Sequence, residues 1–350
     1  SEDYLVRQLL GLAELDSLFV PTLYVLPGFA EAHPELAQVY RLRVATFDGT
    51  NRFRRVLAEH TWLARQTADS GLVHHGGGTM PGGGRTPTVL TIHDLQYRTY
   101  PQYLGAAKRR YLDWAMPWSA ARATVIAVPS DYVRATVIEA YGIDAERVVV
   151  VPHGIEATLG NAATPERALR DRFGLGDGPV VVLPAMTHPH KGHLFLLDVL
   201  ATHWTDDDVR LVLIGGAGSS EQAVTAAIER LGLGARVVRA GRVPAPDRDG
   251  LLAMAAAMAF PSEYEGFGAP VIEAMALGAP VICSDRTSLG EVAGDAAIVL
   301  PLELDAWAGA LDEAIRRRGE LVLAGRARAA TFTAVRSAEA LLQAYGRALG

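Results

Sequence analysis

Cysteine is almost missing from these 350 residues: Cys283 is the only one. A disulfide within the chain is therefore excluded, which suits a reducing compartment. Cys283 lies in the apolar run 280–283 and reads as a small buried residue. Lysine is nearly as scarce, with Lys108 and Lys191 alone among 33 basic residues. No apolar run approaches the roughly 18–20 residues of a membrane span, and no signal peptide is visible. The expected location is the cytoplasm, including the inner membrane face. Positive charge is not in excess either. The net charge is −6, which argues against a general nucleic-acid role. Residues 1–150 hold 15 basic and 15 acidic residues, and residues 151–350 hold 18 and 24, so the acidity belongs to the second part. Lys108, Arg109 and Arg110 form a local basic cluster that suits an acidic lipid or acceptor, or is simply solvated.

What is present is organised around residues 261–280, PSEYEGFGAPVIEAMALGAP. The apolar run 255–260 reads as a buried strand leading into it. A loop over 263–268 follows. Pro270 is expected at the first position of a helix, where its missing N–H costs nothing. Val271, Ile272, Ala274, Met275 and Leu277 give that helix an apolar body, and Gly278 ends it. A strand, a glycine-bearing turn and a helix mouth together attract an anion, usually a phosphate. Glu265 in the turn and Glu273 about one helical turn on are placed to accept hydrogen bonds from sugar or ribose hydroxyls. Taken singly, Glu265 is as well explained as a helix cap and Glu273 as a solvated position.

At this length two domains are expected. Residues 1–10 read as an amphipathic helix capped by Ser1. Strands are expected over 18–26 and 42–47 with a helix between them, and a helix over 52–67. Further strands are expected over 72–75, 87–92, 124–128 and 148–151, with helices over 106–121 and 131–141, the latter capped by Ser130. The loop 76–85 holds six glycines and reads as a mobile segment or a simple long loop. Residues 152–155, PHGI, read as a hinge. Beyond it, strands over 180–183, 209–214, 237–239 and 257–260 alternate with helices over 194–203, 221–231 and 248–256. Such alternation predicts a parallel sheet covered on both faces.

His93 and Asp94 close a strand and so face the crevice where open α/β sheets bind ligands. His93 suits donation to a sugar hydroxyl or stabilisation of developing charge, or a structural role; Asp94 suits orienting a turn. Lys191, in THPHKGH (187–193), follows a strand and opens a helix. Its compact ammonium suits a diphosphate, the alternative being a solvated side chain. Zinc on His188, His190 and His193 lacks further ligands at useful spacing. Gly215 and Gly216 make a glycine-rich turn between strand and helix, a weak phosphate signal alone. Asp206, Asp207 and Asp208 read as a surface turn.

Glu265 and Glu273 are separated by seven residues, GFGAPVI, and TIHDLQY (91–97), VIAVPSDYV (125–133), VVVVPHGIE (148–156), PHKGH (189–193) and LGEVAGDAAIVL (289–300) accompany them. With these motifs, in this order, the chain resembles the family 4 retaining glycosyltransferases, which depend on nucleotide sugars and have the GT-B fold. The resemblance implies an α/β architecture of two Rossmann-like domains with parallel sheets facing across a cleft. Residues 1–151 would be the acceptor-side domain and 152–333 the donor domain, and the helix over 334–350 would cross back to the first. The family's opening strand and double-glycine turn have no counterpart ahead of the first helix, and an N-terminal truncation is expected.

By resemblance, His93, Lys191 and Glu265 would be catalytic. Gly215, Gly216, Arg242, Glu265, Gly266, Phe267, Gly268 and Glu273 would bind the donor, with no metal or other cofactor required. The family usually has Asn at the place of His153 and Arg at that of Ala185, so the resemblance implies no direct role for His153, and the second cationic contact is absent or comes from elsewhere. The implied reaction moves a hexose of mannose or glucose type from a nucleotide diphosphate to a hydroxyl, with retention. The acceptor would be a glycan, lipid-linked or small molecule. Expected partners are thus a nucleotide sugar and that acceptor, with peripheral membrane contact and no nucleic acid. The alternatives are a catalytically silent sugar-nucleotide-binding subunit and, with a differing pattern of acids and histidines, a GT-B epimerase.

Overall fold

The computed structural model describes residues 2–50, 56–82 and 87–350. The expected Ser1 cap, the start of the 52–67 helix and the end of the 76–85 loop lie outside them. The chain divides into two compact units, residues 1–156 with 333–350, and residues 157–332. Every strand pair in both is parallel.

In the first unit, β3 (Val73–His75), β4 (Thr88–Thr91), β5 (Val125–Val128) and β6 (Val148–Val150) form a sheet in that order. Alternation explains its two covered faces. Ile126 and Val128 of β5 pack against Met116, Val133 and Val137. Val125 and Ala127 point the other way, against Leu341, Ala344 and Tyr345 of the C-terminal helix Ala334–Leu349. That helix also lies along the opening helix Glu2–Ala13. Ser130 caps Asp131–Tyr141 by accepting from the Val133 amide at 3.2 Å.

A separate two-stranded sheet pairs β1 (Thr22–Val25) with β2 (Arg41–Val44). Its strands are shorter than their apolar runs, and Leu18 and Val20 stand exposed before β1. The single helix expected between them is two, Pro27–Ala32 and Leu36–Val39. Pro34 disfavours helical geometry at His33, which breaks the run. Where 52–67 is described, it holds a π-helical turn, Glu59–Leu63, before Ala64–Gln66. Residues 152–155, expected as a hinge, are bonded into this unit. Ser337 donates to the Pro152 carbonyl at 2.6 Å, and the Ala334 amide donates to that of Ile155 at 3.0 Å.

The second unit has six strands: β7 (Val180–Pro184), β8 (Arg210–Ile214), β9 (Val237–Gly241), β10 (Ala257–Phe260), β11 (Val281–Ser284) and β12 (Ile298–Leu300). Their spatial order is β9-β8-β7-β10-β11-β12. The central strands are buried along their length, as parallel strands covered on both faces must be. Cys283 is part of this core, and burial pushes its thiol up to about 12. The chain order reverses direction between β7 and β10. A doubly wound sheet opens its ligand crevice beyond the carboxyl ends of the strands at such a reversal. The two loops that leave those ends carry Lys191 and Glu265.

Candidate donor-binding site

After β10 the chain enters the helix Ala269–Leu277 through Gly268, whose φ of +93° is the left-handed geometry that favours glycine. Leu289 packs where a Cβ on Gly268 would project. Pro270 sits one position later than expected, since Ala269 opens the helix. That position is still within the first turn, where no N–H is needed. Gly278 ends the helix in left-handed geometry, with the Ala279 amide returning to the Ala274 carbonyl at 2.9 Å. Glu273 is half-buried on this helix, two residues before the buried Met275.

After β7, Pro189–Lys191 makes one turn of 3-10 helix and Gly192 leads into the helix His193–Thr202. Gly192 has a φ of +70°, and a Cβ there would overlap the Pro261 carbonyl oxygen. This close approach lays one loop on the other. The Glu263 amide donates to the His190 carbonyl at 2.7 Å, and Oγ of Ser262 lies 3.0 Å from the same oxygen.

Lys191 and Glu265 meet as a result. Nζ of Lys191 lies 2.6 Å from Oε1 of Glu265, both side chains mostly buried, and 5.5 Å from the centre of the Phe260 ring. Ser262 donates to the same Oε1 at 2.7 Å. Among the described residues no donor bonds the second oxygen, Oε2, which stays available as an acceptor. An ammonium carries three N–H donors. One is directed at Glu265, and among the described residues no acceptor takes the other two.

The backbone of Glu265 is held as firmly. Its amide donates to Thr287 Oγ1 at 3.0 Å, and its carbonyl accepts from Ser288 Oγ at 3.0 Å. Ser284 donates to the Ser262 carbonyl. Residue-by-residue reading of the sequence passed over these three hydroxyls. The signal was there, a Ser/Thr-rich run directly after a strand, which is where such side chains bond backbone groups.

The glycine-rich turn after β8 folds against the segment after β7. Gly215 abuts Ala185, and the Gly218 amide donates to Thr187 Oγ1 at 2.7 Å. Thr187 in turn donates to Glu221, which is paired with Arg239. Arg242, exposed just beyond β9, lies across the open face of Gly216. Thus Gly215, Gly216 and Arg242 belong to one neighbourhood, and Lys191, Glu265, Gly266, Phe267, Gly268 and Glu273 to the other.

His93 belongs to the first unit. Its Nε2 lies 2.9 Å from the Gly76 carbonyl oxygen, which can only accept, so that nitrogen carries the proton. Burial pushes the ring down to about 4. A neutral ring protonated at Nε2 offers Nδ1 as an acceptor. The expected donation from His93 to a hydroxyl is thereby redirected, because its N–H is already used. His153 is buried, stacked on Tyr4 at 4.2 Å, and stays neutral through burial. Asp94 orients a turn, accepting from the Gln96 amide at 2.9 Å. Among the described residues no three His, Cys, Asp or Glu side chains are grouped to hold a metal ion. Likewise none of the described helices is long and apolar enough to cross a membrane. Lys108, Arg109 and Arg110 are exposed on the helix Ala106–Arg122, which also exposes Trp114.

Two family models match the chain in succession. "Glycosyltransferase Family 4" covers residues 13–159, and "Glycosyl transferases group 1" covers 166–328. The chain belongs to the family 4 glycosyltransferases. Within that family it is 30% identical over 222 residues to the O-antigen chain mannosyltransferase B of Escherichia coli, covering 62% of this chain and 58% of the relative. It is 33% identical over 226 residues to the D-inositol 3-phosphate glycosyltransferase of Nocardia farcinica, covering 61% of this chain and 50% of the relative. The matches therefore span only half to three-fifths of those relatives' own length. The fold is also that of Anabaena HepE, solved with UDP and glucose, at a TM-score of 0.76 and 20% identity over 99% of this chain and 95% of that one. WaaG, a glycosyltransferase involved in lipopolysaccharide biosynthesis, gives a TM-score of 0.72 at 18% identity, covering 97% and 95%. The glycosyltransferase family membership and the GT-B fold agree with the sequence reading.

Proposed function

We propose that this chain transfers a hexose from a nucleotide diphosphate to a hydroxyl acceptor, retaining anomeric configuration. The observation that carries the reading is the Lys191–Glu265 pair at the strand reversal, beside the mouth of the helix Ala269–Leu277. The barrier to such a transfer lies in breaking the anomeric bond as a diphosphate departs and positive charge builds on the sugar. Fixed charges and dipoles lower it most. Lys191 spends its two remaining N–H donors on the departing phosphates, helped by the helix mouth. Glu265 keeps Oε2 for a sugar hydroxyl, and Glu273 takes the ribose hydroxyls. The leaving diphosphate accepts the acceptor's proton as attack comes from the same face. Cation and helix dipole together neutralise the diphosphate, so this reading calls for no metal.

HepE binding UDP and glucose supports a nucleotide sugar as donor, and the mannosyltransferase relative supports a hexose of mannose type. The exposed basic triplet at 108–110 favours an acidic or lipid-linked acceptor. The test is incubation with UDP- and GDP-linked hexoses, with and without free and lipid-linked sugar acceptors, scoring nucleoside diphosphate release. Release with one donor, raised by an acceptor, is expected. Tight binding of a donor with no release would instead make the chain a silent binding subunit.

A further inference from the structure

Thr287 is the one residue other than glycine with a positive φ among the described residues, at +56°. That geometry crowds any L side chain, and a β-branched one most. A backbone outlier of this kind persists only where its surroundings hold it there. Here the surroundings are the loop that carries Glu265. Successive side chains on an ordinary extended backbone point to opposite sides. At 287 and 288 both hydroxyls instead reach one residue, Thr287 accepting from the Glu265 amide and Ser288 donating to its carbonyl, each at 3.0 Å. The next residue, Leu289, packs against Gly268 at the helix mouth. The left-handed turn at 287 thus grips the peptide of Glu265 and the glycine that opens the helix.

We propose that Thr287 is a positioning residue for transfer: its strained turn and its hydroxyl fix the Glu265 peptide, and so fix where Oε2 meets the donor sugar. The inference rests on the transferase reading above. Its effect falls on turnover rather than on nucleotide affinity, because the Thr287 hydroxyl bonds the peptide of Glu265 and leaves the Lys191 ammonium untouched.

Thr287→Gly relaxes the backbone and removes the hydroxyl, so the variant folds while losing the grip. Thr287→Ser keeps the hydroxyl. Turnover would be read as release of nucleoside diphosphate from UDP-glucose and GDP-mannose, and binding as UDP and GDP affinity by calorimetry. Thr287→Gly should lower kcat at least tenfold while moving the nucleotide Kd less than threefold, and Thr287→Ser should return kcat to within threefold of the parent chain. Parental kcat in Thr287→Gly, or a loss that appears wholly in Kd, overturns the positioning role and leaves the transferase reading standing. A parent chain without turnover on either donor removes the transferase reading, and the role of Thr287 with it.

Discussion

An ammonium that leans on a carboxylate is a prepared charge rather than a roaming one. Lys191 has one such partner, and its ammonium sits over the Phe260 ring beside it. Ordering that side chain ahead of the donor removes an entropic cost from binding. Replacing Lys191 by Ala removes the cation and strands Glu265 as well. A lost charged transition-state contact costs about 2–4 kcal/mol, so transfer should slow by about 100-fold or more. The same change removes a charge-assisted hydrogen bond worth about 1.5–3 kcal/mol of stability. Steady-state kinetics together with a melting curve separate the two effects, and turnover within a few-fold of the parent would remove Lys191 from the mechanism. Lys191 and Glu265 were legible in the sequence through their neighbours, PHKG and EGFG. Their direct bond was not, because the contact spans 74 residues and depends on a close approach of two backbones.

That approach belongs to the scale of elements. Gly192 and Pro261 sit in different loops, and nothing local in either says they touch. A side chain at 192 has to displace backbone rather than a flexible neighbour. Gly192→Ala is therefore expected to cost about 2–5 kcal/mol, backbone strain and overpacking combined. It should also abolish transfer, since the loop that carries Lys191 lifts from the loop that carries Glu265. Chemical denaturation and an activity assay on the same preparation check both, and an unchanged midpoint would mean the loops part without cost. Elements were the more legible level: β10 in the second unit and the C-terminal helix in the first fall at their expected residues. Legibility failed at local irregularities: Pro34 broke one helix into two, and a π-helical turn replaced regular helix at 59–63. The strained turn at Thr287 gave no sign either, because nothing in TSLG demands a left-handed threonine.

At the scale of the whole chain, histidine burial sets a pH limit. Burial is the leading cause that pushes His74 down to about 3, and His75, His93 and His193 down to about 4. Such rings are neutral when folded and take up protons when unfolded. The unfolded chain therefore binds more protons between pH 6.5 and about 4, so stability is full above pH 6.5 and falls as the pH drops through that window. A single ring of this kind lowers stability by up to about 1.4 kcal/mol per pH unit. Unfolding free energies from denaturant titrations at pH 7 and pH 5 should therefore differ by at least about 2 kcal/mol, a figure one such ring supplies. Equal free energies would mean that the rings are charged in place.

The scarcity of lysine has a practical outcome. Two ε-amines serve the whole chain, Lys108 open to solvent and Lys191 tucked against its acid. An acylating reagent meets the first at once and the second only when that contact opens. Mass spectrometry of the labelled chain then reports on one tether at one atom, with the other amine as its built-in clock.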